Sequence, residues 1–411
     1  MNSGPNHRRR PLFLAAAAIV ALALTGASRA HAEAQLLVDA DTGKVLYAEN
    51  ATYPWYPASV TKLMTAYTTL RAVKEGRVRM DTLLTVSRNA VAQQPTKMGF
   101  REGTTVTVDN ALKMLMVKSA NDIAVVLAEG IGGSIEGFAD QMNANARRLG
   151  MTQTHYVNPN GLPAEGHITS ARDLAIVARA LIREFPQYDS YWHISAIRYG
   201  KRVFRNYNTL IDRYPGADGM KTGFICASGF NLVASATRNG KRLIAVVLGA
   251  YSSAVRAQKA ATLLERGFNS AGLSWLTPSL GNVEALVPID AQPPNLRDEM
   301  CGSHRRKPPS EDNDEQEANA GGGDPASSQA LGFAGTKATT EKYVLPAATH
   351  VGETITVYTG PANNPDKVEA VAASKAKPHK KKTAKGSDKK KKTRQASSEQ
   401  QAATKKKKAS Q

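Results

Sequence analysis

Apolar residues fall into three regimes along this 411-residue chain. The first is a single block: Leu12 to Leu24 is almost wholly apolar and follows the cationic Arg8, Arg9 and Arg10. Ala30-His31-Ala32 then supplies small-x-small spacing, so residues 1–32 read as a cleavable export segment. The block is shorter than a membrane span requires, although an uncleaved anchor is the alternative. Arg9-Arg10 before Pro11-Leu12-Phe13 also resembles a twin-arginine signal, so both export routes stay open.

The second regime, residues 33–275, mixes two periods. Leu36-Leu37-Val38 and Val45-Leu46-Tyr47 flank Asp41-Thr42-Gly43, the pattern of a hairpin. Helical spacing follows. The stretch from Ser59 to about Ala72 lacks Pro and Gly, and Asp109 is placed to cap a helix over residues 110–118. Ser134 precedes a helix that reaches Leu149 and is stopped by Gly150. Ser170-Ala171-Arg172-Asp173 resembles a capping box ahead of Leu174 to Arg183. Strand runs return at Phe230 to Ala236 and Leu243 to Leu248, joined by the hairpin signal Asn239-Gly240. Ser252 to Phe268 reads as a closing helix. Strand pair, helices, strands and helix in that order predict an α/β (α+β) domain, with a central antiparallel sheet carrying helices.

In the third regime apolar residues thin out. Residues 276–310 form an extension, and 311–340 an acidic, Gly-rich linker too poor in large apolar groups to fold alone. Residues 341–360, with Val344, Leu345, Val351, Ile355 and Val357, suit a short β element too small for a domain. Residues 361–411 are a Lys-rich, low-complexity tail expected to be disordered.

Charge follows the same division. Of the formal net charge of +19, residues 366–411 carry +12 and the first 32 residues +4, leaving +3 for residues 33–365. The folded part is therefore near neutral. An exported protein seldom meets nucleic acid, so the tail points to anionic lipid or wall polymer through screened attraction, or to no specific partner.

Candidate chemistry sits in three ordered motifs: Ser59-Val60-Thr61-Lys62, Ser119-Ala120-Asn121 and Lys221-Thr222-Gly223. Chance alone gives an S-x-x-K about once in a chain of this length and a K-T-G about a tenth as often. The information is in the ordered set. Pro57 favours a helix start, which puts Ser59 near the helix N-terminus, where N–H groups favour negative charge. Lys62, three residues on, shares its face and serves as a base if burial or a second cation such as Lys221 lowers its pKa. Ser119 and Asn121 fall on a connection between helices and offer a proton relay and an amide for a substrate carbonyl. Lys221 and Thr222 offer a charge and a hydroxyl to a terminal carboxylate, while Gly223 lets a substrate backbone approach the strand. Each residue also has a bland use: Ser59 or Ser119 as a cap, Lys62 as a surface charge. The two cysteines, Cys226 and Cys301, are expected to pair in an oxidising compartment and clasp the extension to the third-motif strand. Histidines are scattered without metal-ligand spacing, and no cofactor is implied.

With Val38-Asp39-Ala40-Asp41-Thr42-Gly43, Tyr56-Pro57-Ala58-Ser59 and Gly229 to Thr237, the motif set resembles the D-alanyl-D-alanine carboxypeptidases, low-molecular-mass penicillin-binding proteins of serine peptidase family S11. The resemblance covers residues 34–275. It implies a β-lactamase/transpeptidase-like fold with a helical subdomain, peptidoglycan stem pentapeptides as substrate and β-lactams as covalent inhibitors. It further implies Ser59 as acylated nucleophile, Lys62 as base, Ser119 as relay, Asn121 as substrate holder and Lys221 as the shaper of the field around Lys62. The backbone N–H groups of Ser59 and Phe224 would form the oxyanion hole, and Arg256 with Thr222 would take the terminal carboxylate. A solvated helix charge is the alternative for Arg256. Many relatives carry a β-rich second domain and an anchor helix, where this chain has a linker and a Lys tail.

Rival readings are a serine β-lactamase, a D,D-endopeptidase acting on cross-links, and a non-catalytic wall-binding or penicillin-sensing module. No E-x-x-L-N lies between Asn121 and Lys221, which argues against a class A β-lactamase. An activated serine argues against a pure binder. The sequence thus favours a D-Ala-D-Ala carboxypeptidase of the periplasm or envelope.

Overall fold

The computed structural model describes residues 1, 33–269, 279–303, 343–348 and 352–361. The expected export segment beyond residue 1, the acidic linker and the Lys-rich tail from residue 362 lie outside the described residues.

The chain enters through the expected hairpin, β1 (Ala34–Asp39) and β2 (Val45–Glu49). Its turn is held by Asp39 Oδ1, which accepts from Thr42 N–H at 2.9 Å and Thr42 Oγ1 at 2.8 Å. A 3-10 turn (Ala58–Thr61) leads into α1 (Lys62–Lys74), so Ser59 lies on the tighter turn and not inside the helix proper. The next elements are β3 (Leu83–Thr85), α2 (Arg88–Ala92), β4 (Thr105–Thr107), α3 (Val108–Val117), α4 (Asn121–Gly132), α5 (Ile135–Leu149) and α6 (Ala171–Glu184). After these come β5 (Ala196–Tyr199), β6 (Arg202–Arg205), β7 (Ala217–Ile225), β8 (Gly229–Arg238), β9 (Lys241–Ala250) and α7 (Ser253–Asn269). Two further 3-10 turns (Pro186–His193 and Val283–Ala285), short α8 (Arg297–Cys301) and β10 (Thr354–Thr356) complete the described elements.

The main sheet runs β2-β1-β9-β8-β7, antiparallel throughout. Its central strands are largely apolar because both faces are covered. Leu36, Val38, Val233, Ile244 and Val246 face one core together with α1, α3, α4 and α6. Their alternates Leu37, Leu232, Ala234, Leu243 and Ala245 face a second core under α7. Successive residues of a strand point to opposite faces, so one run feeds two cores.

Helix α1 is buried on all sides from Lys62 to Leu70, as expected of a helix in the middle of a core. Its polar residues are satisfied locally: Thr65 Oγ1 donates to Pro159 O at 2.6 Å, Thr69 Oγ1 donates to Thr65 O at 2.8 Å, and Thr68 Oγ1 accepts from Asn145.

Two cap assignments need correction. Helix α3 is capped by Thr107, whose side chain accepts from Asn110 N–H; Asp109 lies within the first turn and binds Lys113 and Tyr191. Ser170 caps α6 as expected, but Asp173 does not close a reciprocal box. Its carboxylate instead takes Gln153 N–H, Thr154 Oγ1 and the buried Arg172 guanidinium. Ser134 and Gly150 bound α5 as the sequence indicates.

The described part of the extension returns to the domain. Val45 N–H donates to Gly281 O, Leu296 N–H donates to Ala227 O, and a disulfide joins Cys226 to Cys301. The late β element is a single short strand. β10 adds in parallel to β5, beside the β5–β6 hairpin.

Candidate active site

The first motif is shaped from both sides. Asn231, fully buried on β8, donates its Nδ2 to Tyr56 O at 3.0 Å and Pro57 O at 3.1 Å, fixing the segment just before Ser59. Ala58 has φ +51°, an uncommon conformation for a residue with a Cβ. Ser59 makes no capping bond at this helix start: the N-cap position is Pro57, and no side chain caps it. The hydroxyl of half-buried Ser59 instead lies 2.9 Å from Lys62 Nζ.

Lys62 is fully buried, and its Nζ also donates to Asn121 Oδ1 at 2.8 Å and to the Asn160 carbonyl at 2.7 Å. Both can only accept. The identity of Asn121 Oδ1 follows from the other half of its amide, since Nδ2 donates to Gln94 O at 3.0 Å. A neutral lysine has two N–H bonds and one lone pair. If the two N–H bonds go to the obligate acceptors, the lone pair is left facing Ser59 Oγ, the geometry for withdrawing the hydroxyl proton.

The second motif meets the first through that Lys62–Asn121 bond. Asn121 opens α4, whose N-cap is Ala120 with no side-chain cap bond, so Ser119 is not spent as a cap. Ser119 holds φ +56° on the turn, a strained conformation for serine. Its buried Oγ has no hydrogen-bond partner among the described residues. Next to it, Lys118 is also buried, with Nζ 2.6 Å from Tyr207 Oη and over the rings of Phe204 and Tyr207.

The third motif lies on β7, at the edge of the main sheet. Lys221 and Thr222 are buried; Lys221 Nζ donates to Thr222 O at 3.1 Å, and Thr222 Oγ1 has no hydrogen-bond partner among the described residues. Gly223 pairs with Asn231 across β7 and β8. A Cβ at Gly223 would stand 2.7 Å from Ser59 N and 2.9 Å from Val60 N. The first motif's own backbone therefore requires glycine here, a reason additional to the substrate clearance read from sequence. Phe224 packs its ring on Phe230 at 4.4 Å.

Arg256 is not a solvated helix charge. It is 2 % exposed, donates from Nη1 to Asn231 O at 3.3 Å, and lies over the Phe230 ring. It thus stands behind β8 at the position paired with Gly223. Sequence reasoning missed the Asn160 carbonyl, the Tyr207 hydroxyl, and Asn231 as the brace of the first-motif turn. Only Asn231 left a trace, as a polar residue inside the mostly apolar run Phe230–Ala236.

A model of the S11 peptidases, described as D-alanyl-D-alanine carboxypeptidase, matches residues 22–252. The chain belongs to that family. Among curated members, it is 36% identical over 245 residues to D-alanyl-D-alanine carboxypeptidase DacF of Bacillus subtilis, covering 58% of this chain and 62% of that one. It is 38% identical over 244 residues to DacD of Escherichia coli, covering 58% of this chain and 63% of that one. Less than two thirds of either relative's length is therefore matched. The solved structure of penicillin binding protein 6B from Escherichia coli superposes with a TM-score of 0.56 at 37% identity, over 58% of this chain and 78% of that one. The antiparallel sheet and its helices are thus a penicillin-binding-protein fold. Among the described residues no cluster of His, Cys, Asp and Glu is arranged to hold a metal, and no helix is long and apolar enough to cross a membrane.

Proposed function

We propose that this protein is a serine D-Ala-D-Ala carboxypeptidase that trims peptidoglycan stem pentapeptides. The observation that carries the reading is Lys62: a buried amine 2.9 Å from Ser59 Oγ that also meets two obligate acceptors, Asn121 Oδ1 and the Asn160 carbonyl. Ser59 Oγ attacks the carbonyl of the penultimate D-Ala while its proton passes to Lys62 Nζ. The backbone N–H groups of Ser59 and Phe224 stabilise the developing oxyanion, ordinarily the largest single contribution to such chemistry. The C–N bond breaks, and the leaving amine of D-Ala takes a proton from Lys62 through Ser119 Oγ. Water, deprotonated by the same lysine, then hydrolyses the ester on Ser59.

The remaining assignments concern binding. Lys221, Thr222 and Arg256 provide positive charge and a hydroxyl for the terminal carboxylate, with Gly223 keeping that strand close. Asn121 gives one N–H to Gln94 O, and its second N–H is assigned to a substrate carbonyl. A β-lactam, which presents a strained amide to the same serine, acylates Ser59. The arginines before the apolar N-terminal block support action in the cell envelope, with the Lys-rich tail against anionic lipid or wall polymer.

The test is D-alanine release from a monomeric pentapeptide by the purified protein, beside Ser59→Ala, with fluorescent penicillin labelling of both. Release and labelling that vanish together in the variant are expected. Wild-type protein that is folded and labels, yet releases D-alanine only from cross-linked peptides, would replace the carboxypeptidase with an endopeptidase. Neither label nor release would leave the wall-binding module.

A further inference from the structure

Beneath the candidate site lies a histidine that the proposed reaction does not use. His167 is 3 % exposed, and both ring nitrogens are engaged. Nδ1 accepts from Val157 N–H at 3.0 Å, and Nε2 lies 2.9 Å from Thr61 Oγ1. A backbone N–H can only donate, so Nδ1 carries no proton; the neutral ring holds its proton on Nε2 and donates to Thr61. Burial pulls the His167 pKa down to about 3. The ring is therefore neutral at ordinary pH. Tyr156 meets it edge-on at 5.7 Å.

The two groups it joins bear on the chemistry. Thr61 immediately precedes Lys62. Val157 begins a loop that lies against the start of α1, where Pro159 O accepts from Thr65 and Asn160 O accepts from Lys62 Nζ. Gly161, at φ +82°, closes that loop so tightly that a Cβ would overlap the Ala58 carbonyl. Loop and nucleophile turn are thus in backbone contact, with His167 as the side-chain bridge between them.

We infer that His167 is a positioning residue: by bridging Thr61 to Val157 it holds the Asn160 carbonyl on Lys62 and so aims the lysine lone pair at Ser59. This rests on the reading of Lys62 as the base. It predicts a selective defect. Losing the bridge disturbs the chemical step, while the carboxylate-binding groups on β7 and α7 are untouched.

The experiment uses the full chain and fluorescent penicillin at increasing concentration, which separates the limiting acylation rate from the preceding non-covalent affinity. Variants are His167→Phe, which fills the space without bridging, and His167→Gln, whose amide both donates and accepts. His167→Phe is expected to slow limiting acylation about tenfold or more, the scale of a small misplacement of reacting groups. Its non-covalent constant should stay within about twofold, and His167→Gln should regain most of the rate. If His167→Phe does not fold, Thr61→Val carries the test: it keeps the volume, removes the hydroxyl, and should show the same split. Acylation at the wild-type rate in the folded variant would overturn the inference. So would equal losses in rate and affinity, or a loss that merely tracks the folded fraction. Ser59→Ala runs in parallel; covalent labelling of that variant would overturn the acyl-transfer reading itself, whatever His167 does.

Discussion

Replacing Gly223 with alanine tests the packing of β7 against the first-motif turn. The added Cβ would stand 2.7 Å from Ser59 N, 2.9 Å from Val60 N and 3.2 Å from Pro57 O. Optimal non-bonded separations lie at about 3.5 Å, so strand and turn must part by roughly 0.8 Å. Overpacking of this kind costs about 1–3 kcal/mol of stability. The chemical cost is separate. The proposed oxyanion donors, Ser59 N–H and Phe224 N–H, lie on the two elements being pushed apart. A shift of that size takes a donor from about 2.9 Å to beyond about 3.5 Å, where a hydrogen bond no longer counts. Losing one donor lowers acyl transfer by roughly a hundredfold, or about 2.7 kcal/mol in the barrier. The assay is limiting acylation by fluorescent penicillin, with D-alanine release beside it and thermal unfolding followed by circular dichroism. Gly223→Ala that acylates within about threefold of wild type, with unchanged melting, would refute the close approach.

Two further predictions follow from other contacts. Because the folded pKa of His167, about 3, lies below the unfolded value of about 6.5, the unfolded chain binds the extra proton between those limits. Stability is therefore lost as pH falls from about 6.5 toward 3. Buried Asp122 and Asp173, whose pKa values are raised by burial, pull the other way. In urea denaturation across that range, wild type should lose on the order of a few kcal/mol more than His167→Gln; identical slopes would contradict the buried neutral ring. The Cys226–Cys301 bridge spans a sequence separation of 75, for which loop-closure entropy gives about 4 kcal/mol. Reduction should lower the guanidinium midpoint accordingly while leaving acylation of the still-folded protein within about threefold, and a loss below about 1 kcal/mol would count against it.

Particular elements show what the sequence could and could not carry. β8 and β9 were legible because their apolar runs and the Asn239-Gly240 turn are local signals, and α5 because Ser134 and Gly150 bracket it. The α3 cap was misplaced because Thr107, Asp109 and Asn110 all carry capping oxygens within four positions; only the backbone decides which one reaches the free N–H. The three motifs were legible as side-chain chemistry, and the structure joins the first to the second through Lys62 and to the third through Gly223. Asn160 was not legible, since it contributes a backbone carbonyl that any residue type possesses. Arg256 could be found by resemblance, yet its burial behind Asn231 depends on how α7 packs on β8, which no local pattern reports.

β10 has a consequence for the solution behaviour of the chain. β5 is flanked by β6 on one side and β10 on the other, and β10 continues into fully buried Val357, whose N–H donates to Arg198 O. Past it, Tyr358 N–H donates to Asn110 Oδ1 and Gly360 N–H to Thr105 O. A chain ended at residue 303 would keep every motif residue. It would also uncover an open strand edge at Ala196 to Arg198 and the apolar seat of Val357. An open edge of that kind is a template for pairing with another molecule. Self-association on shortening would then reflect an unprotected edge, with the three motifs themselves intact.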